Sequence, residues 1–196
     1  MAGQAINFAL SSLMELILFP LPRNFFIRIF NEFLIFAINN PTFFNDVDAA
    51  IPYFDNDREI AVAKEVAKFF WKKGDLEKAI YYFEKAIKKN PEDVESINYY
   101  LEVIYQKQDF QLLSKKATDL SELYPTQANY YYYAGFGYNQ MKNFKKAKEL
   151  LENGLDFVVE NKTLEANFYK QLIISCENLN DNAKKQLYSN KLKQTK

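Results

Sequence analysis

Between residues 60 and 193 apolar side chains return three and four positions apart, in stretches of about 14 residues that each end at a turn signal. That period belongs to helices with one buried stripe. The turn residues recur at a fixed interval, since Asp75 and Asp109, and likewise Pro91 and Pro125, stand 34 residues apart. Lys73-Gly74-Asp75 closes a hairpin: glycine accepts the left-handed conformation after a helix, and aspartate caps the next one. Asn90-Pro91 ends the second helix, because the residue before proline is pushed out of helical geometry. The pattern predicts eight antiparallel helices in four hairpins, about 60–93, 94–127, 128–161 and 163–193, and no strand.

The small and large positions repeat with the turns. The first hairpin supplies Val66, Ala67, Phe70, Gly74, Ala79, Phe83, Ala86 and Pro91. The second supplies Ile97, Tyr100, Leu101, Ile104, Asp109, Ala117, Leu120 and Pro125, with Leu113 where an alanine is usual. The third has Tyr131, Ala134, Gly135, Tyr138, Phe144, Ala147, Leu151 and Gly154, with Val159 at the closing proline position. The fourth keeps Tyr169, Leu172, Asp181, Ala183 and Leu187 with a shortened turn. This array resembles the tetratricopeptide (TPR) repeat, which implies an all-α solenoid in which each hairpin buries its stripe only by stacking on a neighbour.

Several stretches are also similar to the carboxyl-terminal part of large TPR proteins of the Bacteroidota. They are Asn40-Pro41 with Ile51-Pro52-Tyr53-Phe54, Tyr124-Pro125-Thr126-Gln127 with Tyr131-Tyr132-Tyr133-Ala134-Gly135, and the run Gly154 to Asn161 continuing through Leu164-Glu165 and Phe168-Tyr169. The resemblance covers roughly 40–196 and implies a scaffold without enzymatic activity.

Residues 1–59 form a different segment, an apolar helical part and a connector, ahead of the repeats at 60–196. Residues 5–19 and 24–38 are two apolar stretches joined by Pro20-Leu21-Pro22, which predicts a helical hairpin. Each is shorter than the ~20 residues of a membrane span, and they carry Glu15, Arg28 and Glu32. No lysine or arginine precedes Arg23, so a secretory signal is poorly matched. Two roles stay open for residues 1–38: capping the solenoid's end, or contacting a membrane interface or a larger complex. The compartment, cytoplasm or cell envelope, is left undetermined.

Charge and composition narrow the chemistry. Twenty-five basic residues balance twenty-five acidic ones, so no whole-protein field draws the chain to nucleic acid. The balance is local: residues 1–59 hold three basic and seven acidic residues, net −4, leaving 60–196 at +4. There is no histidine, and Cys176 is the single cysteine, expected as an inert core thiol. No carboxylate, lysine or tyrosine pair has a persuasive catalytic spacing, and no metal or cofactor is expected. The last helix carries Lys184, Lys185, Lys191, Lys193 and Lys196 with no acid after Asp181, a solvated capping face with cations at its carboxyl end.

Inward positions of a TPR array should form a concave groove for another protein. Here they hold Lys64, Lys68, Trp71 and Lys72, then Asn98, Glu102 and Tyr105, then Tyr132, Phe136, Asn139 and Gln140. Trp71, Tyr105, Tyr132 and Phe136 lie off the core pattern, and aromatic side chains supply contact area at small entropy cost. The candidate partner-binding set is Lys64, Lys68, Trp71, Asn98, Tyr105, Tyr132, Phe136 and Asn139, with the lysines favouring acidic residues of the partner. The lysine and asparagine clamp of chaperone-binding TPR domains is not reproduced: Lys64 matches its first position, but Lys68 and Tyr99 stand where asparagine is needed.

Overall fold

The computed structural model of the chain describes residues 56–195. The expected amino-terminal hairpin and the connector up to residue 55 lie outside the described residues. Eight helices follow one another: α1 (Asn56–Lys73), α2 (Leu76–Lys89), α3 (Val94–Lys107), α4 (Phe110–Leu123), α5 (Ala128–Gln140), α6 (Phe144–Leu155), α7 (Lys162–Asn178) and α8 (Asn182–Gln194). Among the described residues there is no strand.

One turn design recurs in all four hairpins. A residue with positive φ, namely Gly74, Gln108, Lys142 or Asn180, precedes Asp75, Asp109, Asn143 or Asp181. The N–H of each second residue donates back to the carbonyl five positions earlier, from Asp75 to Phe70, Asp109 to Ile104, Asn143 to Tyr138 and Asp181 to Cys176. The left-handed residue ends the first helix and satisfies its last carbonyls. The same Asp or Asn then caps the second helix, its side chain accepting from Lys78, Leu112, Lys146 or Lys184 N–H at 3.2, 3.0, 3.3 and 3.1 Å.

The described chain falls into two compact units that part inside α3, after Tyr100. In the first, α1 packs against α2, and Val66, Ala67, Ala79, Phe83, Ala86 and Ile97 are fully buried. In the second, α4 packs on α5, α5 on α6 and α7, α6 on α7, and α7 on α8. Its core includes Leu101, Ile104, Leu113, Ala117, Ala134, Ala147, Leu151, Leu172 and Cys176. Each large aliphatic or aromatic side chain enclosed this way contributes about 1.5–3 kcal/mol. Burial also raises the Cys176 thiol above its ordinary pKa, which disfavours the reactive thiolate.

The fourth hairpin departs from the expected register. α7 runs for 17 residues, and Asp181 falls 38 positions after Asn143 instead of 34. Ala183 and Leu187, expected in the core, are therefore exposed, Leu187 at 48%. Tyr188 is buried in α8 instead, stacked on Tyr169 with ring centres 6.0 Å apart.

Candidate functional site

The residues expected to line one groove divide between the two units. Lys64, Lys68 and Trp71 are on α1 and Asn98 on the early part of α3, all within the first unit. Tyr105, Tyr132, Phe136 and Asn139 belong to the second.

In the first unit, Lys64, Lys68, Trp71 and Lys72 share a face of α1 because they stand four, seven and eight positions along it. Trp71 meets Tyr99 of α3, with ring centres 5.6 Å apart and planes tilted by 58°. Tyr99 also lies 5.8 Å from Phe83, so its ring is propped from below by a core side chain. Lys68, Trp71, Lys72 and Tyr99 line an open depression of about 380 Å³. Lys68 Nζ stands 5.1 Å over the Tyr99 ring, a cation–π arrangement. Asn98 is exposed.

The lysines meet acids of the same chain. Lys64 pairs with Asp93 at 3.0 Å and Glu95 at 2.6 Å, and its side chain is only 12% exposed. Lys68 pairs with Glu95 at 3.3 Å and Glu65 at 3.4 Å. Asp93 is positioned by the start of α3, accepting from Ser96 Oγ at 2.9 Å and Ser96 N–H at 3.4 Å. For Glu95, the hydrogen bond from Lys64 leads, followed after opposing burial by the charges of Lys64 and Lys68, and its carboxyl lies below the usual range. Burial alone would lower the Lys64 pKa, but its bonds to Glu95 and Asp93 outweigh that and raise it. Lys72 is exposed and has no ion-pair partner among the described residues.

In the second unit Tyr105, Tyr132 and Phe136 come together as one aromatic cluster with Tyr133. Tyr105 lies 4.8 Å from Phe136 and 5.9 Å from Tyr133, and Tyr132 lies 6.3 Å from Phe136. Tyr133 donates its hydroxyl to Glu102 Oε2 at 2.6 Å. Burial, then the charges of Tyr105 and Glu102, push the Tyr132 phenol up to about 12. All four rings are half-buried, so the cluster keeps a solvent-facing side.

Asn139 is placed differently from the expected groove position. It is 5% exposed and donates to the Gln171 carbonyl and side-chain oxygens at 3.0 and 3.1 Å, while Ser175 Oγ donates to it at 2.7 Å. Its amide satisfies polar groups between α5 and α7, leaving nothing to offer a partner.

Tyr99, Tyr133, Asp93 and Glu95 are not in the binding set expected from the sequence, where Tyr99 figures only as a mismatch to the chaperone clamp. A signal for them exists, because polar partners sit about one repeat apart along the chain. Lys64 and Glu95 are separated by 31 positions, Tyr133 and Glu102 by 31, Asn139 and Gln171 by 32, and Lys148 and Asp181 by 33. Among the described residues no group of histidine, cysteine, aspartate and glutamate could hold a metal ion, and no helix is long and apolar enough to cross a membrane.

No protein-family profile matches the chain, and no curated protein matches it. Solved structures do. MamA from Desulfovibrio magneticus RS-1, from residue 41 to its end, superposes with a TM-score of 0.61 and 14% identity, over 86% of this chain and 94% of that one. The ArsTM double mutant of MamA RS-1 gives 0.63 at 15% identity, over 86% and 93%. MamA of MSR-1 gives 0.59 at 16%, over 74% and 81%. At such identities the likeness is one of architecture, and it establishes the fold as a TPR-type array of helical hairpins.

Proposed function

We propose that this chain is a non-enzymatic scaffold that holds a segment of another protein on the aromatic faces of its helical repeats. The observation that carries the reading is the open depression between Trp71 and Tyr99, an aromatic surface that Lys68 and Lys72 border. Aromatic anchors of this kind dominate the energetics of protein interfaces. The half-buried cluster of Tyr105, Tyr132, Tyr133 and Phe136 is a second face of the same chemistry in the other unit. The absence of histidine from the sequence and the enclosure of Cys176 support a binding role over catalysis. Kinship with the large TPR proteins of the Bacteroidota belongs to the same proposal, resting on the residue runs quoted above. The alternative of a membrane-associated subunit rests on residues 1–38, which lie outside the described residues.

Trp71 is the only tryptophan in the chain, so its emission reports on the depression. Peptides selected from a random library against the full-length protein should shift that emission. Tyr99→Ala should then weaken them by about 2 kcal/mol, roughly thirtyfold. Binders indifferent both to Tyr99→Ala and to the pair Tyr132→Ala, Phe136→Ala would sink the proposal.

A further inference from the structure

Glu95 stands between two lysines of α1. Its Oε2 accepts from Lys64 at 2.6 Å and its Oε1 from Lys68 at 3.3 Å, while half of its side chain remains in solvent. The two lysines depend on it unequally. Lys64 is largely covered and keeps Asp93 at 3.0 Å if Glu95 turns away. Lys68 would keep one ion pair, with Glu65 at 3.4 Å one turn back on its own helix, beside its cation–π contact with Tyr99. Both ion pairs of Lys68 are long, and exposed pairs of this kind are weak enough to exchange. One turn further on, Lys72 has no ion-pair partner among the described residues, and both lysines line the same depression as Trp71 and Tyr99.

We propose that the depression takes an internal segment of another protein in which an apolar side chain, seated between Trp71 and Tyr99, is flanked by a carboxylate that pairs with Lys68 and Lys72, and that Glu95 is this chain's own competitor for that carboxylate. The inference rests on the reading that this face binds a protein segment, and adds the chemistry of the segment and the residue that sets its threshold.

Size limits the occupant. At about 380 Å³ the depression lies at the small end of binding pockets and accepts one or two side chains. Charge selects it further. An occupant that covers Lys68 and Lys72 without supplying an anion strips two ammonium groups of water and returns nothing. A side-chain carboxylate fits better than a chain terminus, because Lys64 is already spent on Asp93 and Glu95. The remaining donors are point charges one helical turn apart beside an open surface, without the converging set that a terminal carboxylate requires.

The test follows Trp71 emission in the full-length protein during titration with three acetylated, amidated peptides of equal length. One carries Asp-Phe-Asp between Gly-Ser flanks, the second Asn-Phe-Asn, and the third Asp-Ser-Asp. The first should bind about tenfold more tightly than either of the others, and the advantage should shrink between about 50 mM and about 300 mM salt. Glu95→Gln should tighten the Asp-Phe-Asp peptide by about threefold to tenfold, and Lys72→Met should weaken it to a similar degree. Melting curves of both variants accompany the titrations, and Lys72→Met, on an exposed side chain, decides the matter if Glu95→Gln proves unstable. Equal binding of the Asp and Asn peptides would overturn the acidic preference while the binding face stood. Unchanged affinity in folded Glu95→Gln would overturn the competitor role. If no phenylalanine peptide moves Trp71, the depression is not a site, and the scaffold reading at this face falls with it.

Discussion

Gly154 of α6 lies against Tyr131 of α5 so closely that a Cβ on the glycine would overlap Tyr131 Cβ and stand 2.7 Å from Tyr131 Cγ, with a ring carbon of Phe168 at 3.1 Å. Tyr131 cannot retreat easily, because its ring is stacked on Phe157 with centres 5.8 Å apart. Gly154→Ala should therefore destabilise the protein by roughly 1–3 kcal/mol, even though alanine is the better helix former by about 1 kcal/mol. Gly135→Ala meets the side chain of Leu151, which has rotamers to yield, and should cost less. Urea unfolding of the two variants checks the order, and an unchanged midpoint for Gly154→Ala would refute the close contact.

Gln108 and Lys142 occupy, at φ of 61°, the turn position that Gly74 holds at 82°. A side chain in the left-handed region costs about 1–2 kcal/mol, whereas glycine costs about 0.5–1 kcal/mol through the freedom it gains on unfolding. Both side chains are exposed. Gln108→Gly and Lys142→Gly should each stabilise the chain by about 0.5–1 kcal/mol. A fall in the urea midpoint would mean that these side chains make contributions the turn geometry does not reveal.

Alkaline pH should unfold the second unit through its tyrosines. Burial, with smaller contributions from nearby carboxylates and phenols, pushes Tyr132 and Tyr169 up to about 12, and raises Tyr133 further. Each phenol thus holds its proton more tightly folded than unfolded. Their contribution to stability is complete below the unfolded value of 10.0 and is lost as pH rises from there through about 12. Phenolate absorbance and helical circular dichroism, followed together, should show part of the absorbance appearing only as helicity disappears. Full ionisation of every tyrosine with helicity intact would contradict the burial.

How much of this was legible differs by kind of interaction. The caps Asp75 and Asp109 and the left-handed Gly74 were readable because turn chemistry is local. Gln108 and Lys142 at the equivalent positions were not, since neither residue type announces positive φ and only the stacked repeat compels it. The fourth hairpin was misregistered at Ala183 and Leu187 because a four-residue extension of α7 leaves the apolar period unbroken. Asn139 has a polar side chain on an inward-looking position, and only the arrival of Gln171 and Ser175 from α7 turns it into a buried cross-brace.

The sequence by itself determined the helices, the 34-residue phase of the first three hairpins and the identity of most core positions, because apolar spacing and capping act within one or two turns of chain. It also marked Trp71, Tyr105, Tyr132 and Phe136 as aromatic positions off the apolar pattern, and of these Tyr132 packs on the buried ring of Phe168. Which charges those residues would meet was decided by tertiary structure alone. Lys64 and Lys68 read as open cations until α3 brings Asp93 and Glu95 to them across 27 to 31 positions. An ion pair depends on distances of a few ångströms between residues of neighbouring helices, and that registry is set by packing, which no spacing along a single helix records.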